Sequence, residues 1–199
     1  MSRPPDHGII YNWDGAPHYY TEVPQSIETF LDKVFAPLED TQVGALCWSV
    51  GTYMSQWKSD ILELVGEPTG RMYDNVRSYV RIENIRKMLE RGEDPQVELI
   101  KRSHELGISV FASMRMNDNH LNGLHPEDIV RLGSMADPGE GTGRSHVTRM
   151  RMEHPEWMLG NQTVPWFAAS WNMAVPETRE HKYALINETC NLYDWDGIE

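Results

Sequence analysis

Tyr193-Asp194-Trp195-Asp196-Gly197-Ile198-Glu199 reads as a helix exit followed by the opening of a buried β-strand. A strand usually needs about five residues, and the run from Gly197 supplies three. A strand begun in this way implies the front part of a larger α/β domain. Some of the residues that build a site are then present, and others are expected beyond Glu199.

Upstream of that run, strands and helices alternate. Gly8–Trp13 reads as a first strand ended by Asp14-Gly15. Pro24-Gln25-Ser26 offers a helix start, after which Ile27, Phe30, Leu31, Val34 and Phe35 recur at helical spacing. The nearly continuous apolar run Val43–Trp48 suits a strand covered on both faces. Helical patterns follow near Lys58–Val65 and Arg81–Arg91, and Asp94-Pro95 is a good N-cap and first-turn pair. The helix it opens is expected to bury Val97, Ile100 and Leu106. Ile108–Met114 is a third strand, and Pro176-Glu177 opens a helix through Tyr193 with Tyr183, Ile186 and Cys190 on one face.

Alternation of this kind specifies a parallel sheet flanked by helices, and an open doubly wound sheet and a closed (β/α)8 barrel both fit. No GxGxxG follows the first strand, so a dinucleotide-binding fold loses its main support. Long connections after the strands favour a (β/α)8 TIM barrel, whose site is built from the loops at the strand C-terminal ends. The expected fold is therefore a single α/β domain over 1–199: the N-terminal part of such a barrel, cut at the start of strand four. A long loop, 117–173, follows strand three. Half a barrel leaves strand edges bare, so self-association through those edges is expected.

Hydrophobic residues at 40% and charged residues at 24% are ordinary globular values. The net charge of -12 repels polyanions, which argues against nucleic acid and anionic membrane surfaces as partners. No stretch approaches the ~20 apolar residues of a membrane span, and no signal peptide is visible, so the cytoplasm is the default compartment. Cys47 and Cys190 are expected to be buried free thiols, with no disulfide framework and no CxxC zinc pattern. The seven tryptophans and eight tyrosines are many for this length. Such rings stack on sugars, and they also fill cores.

The strand ends collect polar groups: Asn12 and Asp14 after strand one, Trp48, Ser49 and Tyr53 after strand two, and Arg115-Met116-Asn117-Asp118-Asn119-His120 after strand three. Alternation sends Arg115, Asn117 and Asn119 one way and Asp118 and His120 the other. Each has a plain structural account: an ion pair for Arg115 and Asp118, turn formation for the asparagines, a hydrogen-bonded loop imidazole for His120. Their density at one strand end is what points to a site. Asp118, His120 and His125 form a D-x-H-x4-H string that matches no standard zinc pattern, so no metal or other cofactor is assigned. His154-Pro155-Glu156-Trp157 reads as a helix start, with His154 and Trp157 left as candidates for lining a pocket.

Arg115-Met116-Asn117-Asp118-x-His120, the HPEW run, Pro176-Glu177-x-Arg179 and Tyr193-Asp-x-Asp196-Gly197-Ile198 together resemble the glycoside-hydrolase-like (β/α)8-barrel proteins, over about Asn12 to Glu199. The resemblance implies O-glycosidic bond hydrolysis of a carbohydrate by the complete protein. It also implies an acidic residue soon after Gly197-Ile198. Asp118 and Glu199 are then possible catalytic contributors, and Asn12, Asp14, Trp48, Arg115, Asn117 and His120 would hold sugar hydroxyls. Hydrolysis needs two carboxyl groups about 5–9 Å apart, so this chain alone is expected to be inactive. The alternatives are a non-catalytic carbohydrate-binding barrel and a metal-dependent barrel hydrolase or isomerase using Asp118, His120 and His125.

Overall fold

The computed structural model describes residues 7–14, 20–51, 54–71, 73, 75–117, 119–133 and 146–199. It divides into two compact units, one of Met1–Val50, Val80–Met114 and Thr189–Glu199, the other of Gly51–Tyr79 and Arg115–Glu188.

The first unit holds a four-stranded, wholly parallel sheet in the order β1 (Ile9–Trp13), β2 (Val43–Ser49), β3 (Ser109–Ser113), β4 (Gly197–Ile198). Register and pleat divide its side chains between two faces. Trp13, Leu46, Trp48, Val110 and Ala112 share one face and are all buried. Helix α1 (Ile27–Phe35) packs there, the edge of its Phe30 ring against Trp48 at 6.1 Å between centroids. Ser26 starts α1 by accepting a hydrogen bond from the Thr29 N–H at 3.1 Å. Helix α2 (Val76–Glu90) buries Ile82, Ile85 and Met88. Its Asn84 accepts from the Gln25 N–H at 2.9 Å and donates to the Glu22 carbonyl, tying the approach to α1 onto α2. Helix α3 (Pro95–Glu105) is capped by Asp94, which accepts from the Gln96 N–H at 2.8 Å.

β4 is short because little of it needs to be strand. Asp196 N–H donates to the Val110 carbonyl at 2.9 Å, while the Asp196 carboxylate accepts from Val110 N–H at 2.7 Å. His104 adds a second contact to that carboxylate at 3.1 Å. Glu199 continues the ladder, its N–H donating to Ala112 and its carbonyl accepting from Met114, each at 2.9 Å. A side chain at Gly197 would meet the Phe111 ring at 3.0 Å, so the glycine makes room for that ring.

The second unit has no sheet among its described residues. It is built from α4 (Pro126–Gly133), α5 (Arg149–Glu153), the part of α6 (Pro176–Leu192) up to Glu188, and 3-10 turns at Pro155–Trp157, Gly160–Gln162 and Pro165–Phe167. Leu121, Ile129, Leu132, Val147, Met158, Ala169 and Trp171 form its apolar core.

The expected (β/α)8 barrel is not what the chain forms. Four parallel strands are present, but helices do not follow them one for one: α2 and α3 both lie between β2 and β3, and α4, α5 and α6 lie between β3 and β4. β4 pairs with β3 and β1 with β2, so the described sheet is open at both edges. Strand–helix alternation sets parallel pairing and does not set closure.

Smaller expectations also change. Lys58–Val65 is not helical; it carries bends and turns, with a Ser55–Leu64 bridge. Val97 and Leu106 are 47% and 43% exposed; Ile100 is buried as expected, and Leu99 is buried with it. Tyr183 is 71% exposed, and α6 turns Thr178, Lys182 and Leu185 inward. Cys47 is buried and Cys190 exposed, both as free thiols.

Trp48 lies between the sheet and α1, where truncation opens a large cavity. Trp48→Ala is therefore expected to lose about 3–5 kcal/mol of stability, read as a lower urea midpoint; an unchanged midpoint would contradict this packing.

Candidate functional site

The residues singled out at the strand ends divide between the two units. In the first, Asn12 on β1 shares a face with Cys47 on β2, Phe111 on β3 and Gly197 on β4. One step further along, Ser49 and Ser113 are register partners, and Glu199 follows Ile198 at the same level. Asn12, Asp14 and Glu199 are exposed. The Glu199 carboxylate accepts a short hydrogen bond from the Ser113 hydroxyl. The Cys47 thiol is pushed up by burial first and by the Glu199 charge second.

Trp48 is not presented on that face. It is 1% exposed and stacks with Trp13 at 6.1 Å on the helix-covered side. Asp14 and Glu199 lie at the two opposite edges of the sheet. Three interstrand spacings of ~4.8 Å put their strands about 14 Å apart, wider than the 5–9 Å or so of a hydrolytic carboxyl pair. Here the structure gathers polar groups without pairing acids.

In the second unit Asn117 has a structural task. Its side-chain amide accepts from the Trp171 N–H at 3.0 Å and donates to the Trp171 carbonyl at 3.2 Å. His120 stacks on His146 at 5.5 Å between centroids. Arg115 is exposed. Asp118 and Tyr53 lie outside the described residues. Among the described residues, no group of three or more His, Cys, Asp or Glu is placed to hold a metal ion, and no helix is long and apolar enough to cross a membrane.

The Asn117 clamp leads to a concavity with mixed chemistry. Trp171 bridges to Met158 in antiparallel fashion, and Asn172 N–H donates to the Trp157 carbonyl at 2.8 Å, so the two tryptophans are fixed by backbone pairing. They line a cavity of about 260 Å³ together with Glu63, Arg149, Glu153, His154 and His181. Thr148 caps α5, accepting from Arg151 N–H at 3.2 Å. Glu63 then fastens the first turn of α5, its carboxylate accepting from Arg149 N–H at 2.9 Å and from Arg149 Nε at 3.0 Å. A carboxylate there also complements the positive end of the peptide dipoles. His154 lies flat on Trp157, 3.9 Å between centroids and 7° between planes. The HPEW run is a 3-10 turn with Pro155 at its first position, and His154 Nδ1 sits 3.1 Å from Glu156.

Two buried cations stand behind this wall. The Arg151 guanidinium lies 4.8 Å from the centre of the Trp171 ring, a cation–π contact. Lys182, 2% exposed, is next to His181 on α6. Burial of His181, and then the charges of Lys182 and Arg151, hold its imidazole down to about 4. At neutral pH the cavity therefore contains an uncharged imidazole with one donor and one acceptor nitrogen.

No protein-family model matches the chain, and none of the curated proteins compared with it matches. The site rests on its own geometry.

Of the pocket, His154 and Trp157 are visible in the sequence as candidate lining residues. Glu63, Arg149, Arg151, His181 and Lys182 are not. They come from separate segments, and no spacing rule connects Glu63 to Arg149 or Arg151 to Trp171. The available signal was compositional: Trp157, Trp166, Phe167 and Trp171 in a stretch with no helical or strand period.

His181 has a testable titration. Its folded value of about 4 is below the ordinary 6.5, so between those limits the unfolded chain binds a proton that the native protein does not. Stability from this residue is complete above pH 6.5 and declines as pH falls toward 4. NMR titration should place His181 near 4, and Lys182→Met should raise it. A wild-type value at or above 6.5 would overturn the description.

Proposed function

We propose that this chain recognises a carbohydrate ring in the cavity lined by Trp157 and Trp171. The observation that carries the reading is the composition of the wall: indole and imidazole faces beside two carboxylates, an arginine and a neutral histidine. A pyranose has an apolar face of C–H groups and a rim of hydroxyls. The former suits aromatic surface, and the latter needs both donors and acceptors in a fixed arrangement. The cavity is just under the ~300–1,000 Å³ typical of drug-sized ligands, a size for a single ring or a short terminus.

The resemblance to glycoside-hydrolase-like proteins supports the same ligand class. It rests on local motifs, and two of them, Asn117 and HPEW, belong to the framework of this wall. Recognition without turnover is the reading for this chain. Of the two pocket carboxylates, Glu63 is committed to Arg149 by two hydrogen bonds.

Glycan-array screening followed by calorimetry tests the proposal. Binding of at least one mono- or disaccharide is expected, weakened at least tenfold by His154→Ala with the thermal midpoint nearly unchanged. Aryl glycosides should remain uncleaved. Failure of every glycan to bind would remove the reading, and rapid hydrolysis would replace recognition with catalysis.

A further inference from the structure

Resting on the carbohydrate reading, we infer that Trp166 and Phe167 form a second sugar-stacking platform beside the cavity, so that the ligand is a neutral oligosaccharide of which the cavity takes one ring.

Exposed aromatic surface is concentrated at this point. Trp166 and Phe167 are 55% and 45% exposed, and Val164 and Pro165 just before them are exposed as well. Contiguous exposed apolar surface marks interaction sites, whereas scattered single residues need no explanation. The run is also firmly held. Phe167 N–H donates to the Val164 carbonyl at 3.0 Å, and Ser170 N–H to the Phe167 carbonyl at 2.9 Å. Gly160 N–H donates to the Ala168 carbonyl at 2.9 Å, and the turn Gly160–Gln162 lies against the turn Pro165–Phe167.

Asn119 fixes the indole itself. In the amide orientation that satisfies both its atoms, its oxygen accepts from Trp166 Nε1 at 3.2 Å. Its nitrogen donates to the Trp166 carbonyl at 3.1 Å and to Ser170 Oγ at 3.2 Å. An indole at a wet surface has an apolar body and a polar N–H tip. Here the tip is spent internally, which leaves the ring surface for a ligand and sets its orientation before binding. The C–H face of a sugar matches that surface; a lipid headgroup or a peptide carbonyl would instead need the N–H.

Charge selects among occupants. From Trp157 to Pro176 the chain carries no Asp, Glu, Lys, Arg or His, although the whole sequence holds 18 basic and 30 acidic residues. That stretch includes Trp157, Trp166, Phe167 and Trp171. Beside the platform it offers the exposed amides of Asn161 and Gln162, which donate and accept without charge. The hydroxyls of a neutral sugar complement them.

Position ties the platform to the cavity. Asn117 clamps Trp171, a lining residue, and Asn119 clamps Trp166. Two residues of chain span at most ~7 Å, so the two clamps stand no further apart than that. Ser170, which Asn119 also reaches, directly precedes Trp171.

Calorimetry on the intact chain tests this with β-1,4-linked oligomers of glucose, mannose and xylose, from monosaccharide to tetramer. In at least one series affinity should rise about tenfold with length, the worth of one further stacked ring. Trp166→Ala should abolish that rise and leave monosaccharide affinity unchanged, whereas His154→Ala weakens every length. The length dependence of the unmodified protein is a measurement independent of either variant. Equal affinity for monomer and tetramer, or a length gain that survives Trp166→Ala, would overturn the inference and leave carbohydrate recognition intact. Binding to phosphatidylcholine vesicles, or dimerisation, that disappears in Trp166→Ala would overturn it in favour of a lipid surface or a second copy of the chain. No binding in any series would overturn it too, and a blank glycan array would overturn the carbohydrate reading with it.

Discussion

Parallel strands cannot be joined by tight turns, because each connection must return the full length of the strand before pairing can resume. That constraint shapes this chain more than any single contact. Between β2 and β3, and again between β3 and β4, the chain leaves the sheet for long excursions, and residues 51–79 and 115–188 from those excursions form a compact unit with a core of their own. The remainder supplies the strands and the helices that cover one sheet face. Burial of Trp13, Leu46, Trp48, Val110 and Ala112 on that face stabilises the register on which the polar strand ends depend.

The candidate pocket is assembled by backbone pairing rather than by regular secondary structure. Asn117 satisfies both main-chain groups of Trp171, and Asn172 and Met158 hold the Trp157 segment against it. A buried irregular segment is tolerable only when its amides and carbonyls are paired, and these bonds meet that need. They also fix two large rings at low conformational cost.

Roles read from position along a strand fared unevenly for a physical reason. Asn12, Asp14 and Glu199 are exposed at the sheet, as residues at strand ends should be. Trp48, only one position from the end of β2, points to the helix-covered side and packs against Phe30. One step in a pleat reverses the face, so nearness to a strand end is a poor guide to accessibility. Asn117 spends its side-chain amide on Trp171, where it shapes the wall.

Local signals in the chain determine its local structure. Ser26 and Asp94 start their helices through side-chain caps, the apolar run Val43–Trp48 makes a strand, and Pro176 and Gly197 stand at the first residues of α6 and β4. These follow from forces acting within a few residues, and a sequence displays them directly. Parallel pairing follows from their alternation. Whether the sheet closes, which way Trp48 turns, and which of many carboxylates meets Arg149 depend on contacts between segments far apart in sequence. Glu63 and Arg149, or Arg151 and Trp171, become neighbours only when burial of the second unit's core brings their segments together, so the pocket and its charge belong to the tertiary structure alone.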